Sequence, residues 1–245
     1  MLRGRVIVIV CAAFALLTGG LLLAGLYRED LATHRHAEAI IAGQEPLLRE
    51  LVEGRIRLLE QAMPLFNTAE TAAATQDRAA LRTRLQPLFD REAPALGLVR
   101  IQVSGRDGGV LFSSEGALFP TPLFDENVLA KAAAGNTTAR GILQDSSRAL
   151  FVGLATPLAA EGRTFGMLTI ATGLAEALSA FKRGTGADAF LVDHRDGGLL
   201  AGTAPSLWNP AFNAQQGAIT MVPVTDRVFM TTSMPVRDMS GRTVA

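Results

Sequence analysis

The 245 residues include 23 basic and 23 acidic side chains, three histidines and one cysteine, and 49% of them are hydrophobic. Zero net charge withholds the global attraction that a nucleic-acid binder shows, and a single cysteine excludes an intramolecular disulfide and any zinc site built on clustered thiolates. The length suits one large domain or two small ones with a buried core.

The first element is the run Val6–Tyr27, 22 residues without a charge. At ~1.5 Å per residue it reaches roughly 33 Å, enough for a ~30 Å hydrocarbon layer. A cleavable signal peptide has a shorter apolar region and a small-residue cleavage site, and no clean A-x-A motif sits just before Arg28. A lipidated cysteine needs a small residue before it, whereas Cys11 follows Val10. Residues 1–27 therefore read as a cytoplasmic N-terminus and an uncleaved transmembrane helix. Arg3 and Arg5 precede the run, and Arg28, Glu29 and Asp30 follow it, so the positive-inside rule places residues 28–245 outside the cytoplasm.

Residues 28–94 read as a helical spine. Leu48, Val52, Ile56, Leu59, Met63 and Phe66 recur at helical spacing, and Pro46 and Pro64 are expected to kink or segment that helix. A second helix is expected from about Asp77 to Arg91, broken near Pro87. So much apolar surface must pack on a sheet or on its own copy.

After Pro94 the period changes to two. Leu98–Ser104 alternates, with Val99, Ile101 and Val103 on one face and Leu98, Arg100 and Gln102 on the other. The turn Gly105–Gly109 and a return strand Val110–Ser113 complete a hairpin. A helix from about Asp125 to Ala134, capped by Gly135, leads to strands Thr138–Asp145, Ala149–Leu158 and Thr164–Thr172. Leu174–Arg183 is a short connecting helix.

The unit then begins again. Arg106-Asp107-Gly108-Gly109-Val110-Leu111 recurs 89 residues later as Arg195-Asp196-Gly197-Gly198-Leu199-Leu200, each copy after an apolar strand (Leu98–Val103, then Ala189–Val192). Pro157-Leu158 with Gly162-Arg163-Thr164 is matched by Pro235-Val236 with Gly241-Arg242-Thr243. The second copy has a shorter middle containing Pro205, Trp208 and Pro210. The strand beginning at Thr243 lacks about six residues relative to Thr164–Thr172, so the sequence is expected to be the front of a longer protein.

These features resemble the double Cache sensory domains of bacterial receptors, which are tandem PAS-like modules. The resemblance rests on the Val99–Phe112 hairpin, the stretch Gly153–Gly166, and their echoes at Arg195–Leu200 and Pro235–Thr243. It implies an α+β architecture: the N-terminal transmembrane helix, the long helical spine, and two tandem PAS-like antiparallel-sheet modules. The membrane-distal module would span 95–173, a connecting helix 174–184, and the membrane-proximal module 185–245, truncated in its last strand. The resemblance further implies a small-molecule pocket in the distal module, relay through the proximal one, and homodimerisation through the spine. The tyrosine-, tryptophan- and arginine-bearing motif of the amino-acid-binding members is not found, which argues against amino acids as ligands.

A pocket needs convergent polar groups on apolar walls. Arg100 and Gln102 on the first strand, and Arg140, Gln144 and Asp145 on the third, supply polar candidates; Phe112, Phe119, Phe124 and Phe151 supply walls. A pocket-facing arginine would bind a carboxylate by charge-assisted contacts. The alternative is that Arg100 lies on an exposed edge and Arg140 pairs with Asp145 or solvent. His34 and His36 are spaced i,i+2 and face no common ligand on a helix, and His194 reads as a solvated turn residue. No G-x-S-x-G, H-E-x-x-H or P-loop occurs, so no catalytic residue, metal or cofactor is expected. The sequence thus reads as the ligand-sensing input of a transmembrane receptor. The alternative is a membrane-anchored structural or assembly protein binding another protein through its modules.

Overall fold

In the computed structural model, residues 38, 42–44, 46–116, 122–145, 147–212, 220–237, 243 and 245 are described. The expected span at Val6–Tyr27, the pair His34 and His36, and Phe119 lie outside them. Among the described residues no helix is long and apolar enough to cross a membrane.

Helix α1 covers residues 46–66, α2 is Ala69–Ala73 and α3 is Arg78–Leu96. Thr68 and Asp77 cap the last two by accepting hydrogen bonds from the N–H groups of Thr71 and Ala79. Gly97, in the left-handed conformation, closes α3. The breaks expected at Pro64 and Pro87 do not occur: α1 runs through Pro64, and α3 runs through Pro87 and Pro94, while Pro46 stands at the first described residue of α1. Each proline removes one backbone donor, and the buried faces hold the helices across the gap. In α1 that face is Ile56, Leu59, Met63 and Phe66, the periodic positions of the sequence; in α3 it is Leu81, Leu85 and Ala93.

These helices pack on one antiparallel sheet. Its strands are β1 (Leu98–Ser104), β2 (Val110–Ser113), β3 (Ala139–Gln144), β4 (Leu150–Ala160) and β5 (Arg163–Gly173), in the spatial order β2-β1-β5-β4-β3. Helix α4 (Glu126–Gly135) connects β2 to β3, and α5 (Leu174–Thr185) follows β5. The chain is therefore α+β, with helices segregated from an antiparallel sheet. Helix α4 extends through Gly135, and Asn136 in the left-handed conformation takes the capping place expected for that glycine.

Alternation along the strands gives the sheet two faces. Ile101, Val103, Phe112, Val152, Leu154, Leu168 and Ile170 form a spine face with α1, α2, α3 and α5. Leu143, Ala155, Met167 and Ala171 form an outer face, covered by Leu123, Phe124 and the α4 residues Leu129, Ala132 and Ala133. A bulge between Leu98 and Arg100 changes the expected facing at the start of β1. Leu98 joins the spine core, while Val99 is turned out and 45% exposed.

The remaining residues form two hairpins. Strands β6 (Phe190–Val192) and β7 (Leu199–Gly202) pair antiparallel, as do β8 (Thr220–Val224) and β9 (Arg227–Thr231). The repeated turn takes one form twice: Asp107 accepts from the N–H of Gly109 and Asp196 from that of Gly198, with Gly108 and Gly197 at φ 87° and 70°. That backbone region favours glycine. The repeated final hairpin also pairs alike, since Val236 and Ala245 exchange backbone hydrogen bonds where Leu158 pairs with Gly166. In the first unit β5 joins the β1–β2 hairpin to β3–β4. Among the described residues, β6–β7 and β8–β9 form two separate two-stranded sheets. Phe190, Trp208, Phe212 and Phe229 stack between them with ring centroids 5.2–6.3 Å apart.

Candidate functional site

The polar residues of β1 fall on the outer face. Arg100, Gln102 and Ser104 alternate with Ile101 and Val103, and all three are buried although polar. Ser113 on β2 and Thr169 on β5 stand beside Gln102 in register, so a polar row crosses three strands under a mostly apolar cover. Gln102 uses both ends of its amide: Nε2 reaches Ser113 Oγ at 3.5 Å, and Oε1 accepts from the Leu123 N–H at 3.0 Å. The second bond fixes the segment that carries Leu123 and Phe124 over the sheet. The Ser104 hydroxyl is buried with no hydrogen-bond partner among the described residues.

Arg100 is the charged centre of this face. It is 7% exposed, and its Nη2 lies 3.2 Å from Asp145 Oδ2. The same nitrogen pairs with Glu115 Oε1, and the guanidinium sits 5.0 Å from the centroid of the Phe151 ring. Asp145 side-chain exposure is 8%, whereas that of Glu115 is 37%. The other Asp145 oxygen accepts from Ser147 Oγ, Ser147 N and Ala149 N at 2.6, 2.9 and 3.0 Å. Burial pushes the Asp145 carboxyl up, but these hydrogen bonds and the Arg100 charge together outweigh it and hold the group below its ordinary value.

The structure thus brings Arg100, Gln102, Phe124, Asp145 and Phe151 to one face. It places Phe112, Arg140 and Gln144 on the other. Phe112 is buried in the spine core. Arg140 is largely exposed and donates to Glu60 of α1 at 3.1 Å, so it pairs with neither Asp145 nor the Arg100 cluster. Gln144 donates from Nε2 to the Arg148 carbonyl at 3.5 Å. An open groove of about 400 Å³ lies between α4 and β3, lined by Val128, Lys131, Thr137 and Arg140. His194 is exposed in its turn. No group of three or more histidine, cysteine or acidic side chains is placed to hold a metal among the described residues. Ser104, Ser113, Thr169 and Glu115 did not stand out as site residues in the sequence. Ser113 could have been found by pairing the hairpin strands, but nothing periodic marks Glu115.

No protein-family model matches the chain, and no curated protein matches it. Among solved structures, the periplasmic domain of LuxQ from Vibrio cholerae aligns with 80% of this chain and 92% of its own, at 14% identity and a TM-score of 0.51. The chain shares the fold of that periplasmic domain. The sensor domain of the V. cholerae histidine kinase DctB aligns with 66% of this chain and 69% of its own, at 12% identity and a TM-score of 0.41. The ligand-binding domain of the Pseudomonas aeruginosa amino-acid chemoreceptor PctC, in complex with GABA, aligns over 80% and 92%, at 20% identity and a TM-score of 0.41.

Proposed function

We propose that this chain is the extracytoplasmic, ligand-sensing input region of a bacterial transmembrane receptor, with its small-molecule site on the outer face of the first sheet. The observation that carries this reading is Arg100: a guanidinium buried on a polar row, beneath a cover made by α4 and Leu123–Phe124. Burying such a cation is costly unless it is paired, so a position that holds one in place is suited to an anionic group. A ligand carboxylate would take the place of Glu115, the more exposed of the two present partners, and leave Asp145 as the fixed one. The Ser104 hydroxyl and Gln102 supply polar contacts beyond the carboxylate. In this reading residues 6–27 anchor the chain in the inner membrane, the spine helices pair two copies, the 95–173 module lies distal and the 185–245 module proximal. A ligand that favours one packing of the distal module would shift the populations on which the output depends.

The test is a thermal-shift series on the whole chain in detergent with acetate, succinate and citrate. A carboxylate at ~100-fold its dissociation constant adds ~2.7 kcal/mol and raises the midpoint visibly. The shift is expected in the wild type and in Arg140→Ala, and is lost in Arg100→Lys and Gln102→Ala. Silence across the carboxylates, or equal shifts in all four proteins, overturns the assignment. A second reading, a membrane-anchored protein that docks another protein, draws on one feature: Met221, Val228 and Met230 stand on one face of the β8–β9 hairpin, with Val228 65% exposed. It predicts a silent screen.

A further inference from the structure

The tight turn between β3 and β4 carries two charged residues that work in opposite directions. Asp145 reaches back to Arg100 on the outer face of the first sheet. Arg148 reaches forward: its Nη1 donates to Asp193 at 3.1 Å and to Asp196 at 2.6 Å, both in the repeated turn between β6 and β7. Asp193 is itself buried, and its second oxygen accepts from the Arg195 N–H at 2.8 Å. The two residues are tied together by hydrogen bonds. The Asp145 N–H bonds the Ala149 carbonyl, the Arg148 N–H bonds the Asp145 carbonyl, and the Asp145 carboxylate takes three further bonds from Ser147 and Ala149. Arg148 also holds φ at 67°, a left-handed conformation that disfavours any residue with a side chain. A glycine would relieve that strain, but it would have no guanidinium to offer the second hairpin.

We propose that this turn couples the two halves of the chain. A change in the pairing at Arg100 moves Asp145, and because the Arg148 N–H is bonded to the Asp145 carbonyl, the movement changes the hold of Arg148 on Asp193 and Asp196. The proposal rests on the outer-face site described above and names the route by which its occupancy reaches the 185–245 unit. A contiguous chain of bonds is not itself evidence of coupling; a double-mutant cycle supplies it.

The experiment is hydrogen exchange on the whole chain in detergent without any ligand, read at the amides of Asp193, Gly197 and Gly198. Those amides bond Gly198, Asp193 and Asp196 within the second turn. Asp145→Asn keeps an oxygen for the three turn bonds and presents an amide to Arg100, so it breaks only that pairing. Arg148→Gly removes the forward contact and eases the backbone. Exchange at the three amides is expected to quicken several-fold on Asp145→Asn in the wild-type background, and to show no further change when Arg148→Gly is already present. Arg100→Lys keeps the charge but loses the guanidinium geometry, so it perturbs the same bond from the other side and serves if Asp145→Asn folds poorly. No response to either site variant, or an equal response with and without Arg148, overturns the coupling. Because no ligand is used, that failure leaves the carboxylate screen to judge the site separately.

Discussion

Asp145 is where three separate pieces of chemistry meet. Its burial opposes ionisation, while Ser147, Ala149 and Arg100 favour it, and the favouring contacts prevail. The folded carboxyl therefore titrates below the unfolded one. Its stabilising share is complete above the ordinary aspartate value of ~3.9 and is lost as the pH falls through the lower, folded value. Urea titrations at descending pH should show this loss in the wild type, with a shallower acid limb in Asp145→Asn. Asp188 and Asp196 are also held low, the first chiefly by Lys182, the second chiefly by the Gly198 N–H, so the variant should flatten the limb and not abolish it. An unchanged limb would mean that Asp145 is not held low in the folded chain. Removing Arg100 is the harsher change, because it leaves a buried carboxylate without its cation; breaking such a pair costs about 3–5 kcal/mol. Hence the conservative Arg100→Lys is the variant for binding work.

At the scale of elements, the sheet is set by close approaches that only glycine permits. A methyl group at Gly166 would meet the Ser104 carbonyl oxygen at 2.1 Å, backbone against backbone across the β1–β5 pair. At Gly153 it would meet Leu143 Cδ1 at 2.2 Å and Phe124 at 3.2 Å, which are side chains that can turn. Gly153→Ala should cost the ~1–3 kcal/mol of an overpacked core, and Gly166→Ala more, since a strand must shift. Equal denaturation midpoints for the two would contradict this ranking. Strand positions were legible because a period of two and the Asp-Gly turns are local signals: β1 and β2 run over the residues expected. The faces were less so. Whether Arg140 shares a face with Arg100 depends on register carried through β5 and β4, and a slip of one residue reverses every side chain. Arg140 and Gln144 have the opposite parity to Asp145, so β3 could bring only part of the proposed set to the site. The bulge at Val99 and the continuity of α3 through Pro87 were hidden for a related reason, since tertiary packing decides both.

At the scale of the whole molecule, the two halves share a core. Leu191 lies in the same buried cluster as α1 and α5, and Leu200, Ala201, Val236 and Ala245 pack against it. The single tryptophan, Trp208, reports on the second half through its contacts with Phe190 and Phe212. Its emission in urea should change together with the far-ultraviolet helix signal, which comes largely from the spine. Two separated transitions would show that the halves unfold independently. The repeat itself was legible because the same Arg-Asp-Gly-Gly turn is written twice, but the pairing of the second unit's strands into two separate hairpins was not, because sheet order is set by tertiary packing and not by a local signal. The two-sided sheet has a consequence for how such a molecule changes over time. Successive residues of β1 serve different masters: 101 and 103 answer to the spine, while 100, 102 and 104 answer to whatever lies beneath α4. On the function proposed above, mutation at alternate positions rewrites what is recognised without disturbing the spine-facing scaffold, and the chemical preference of the outer face is free to drift while the architecture stays fixed.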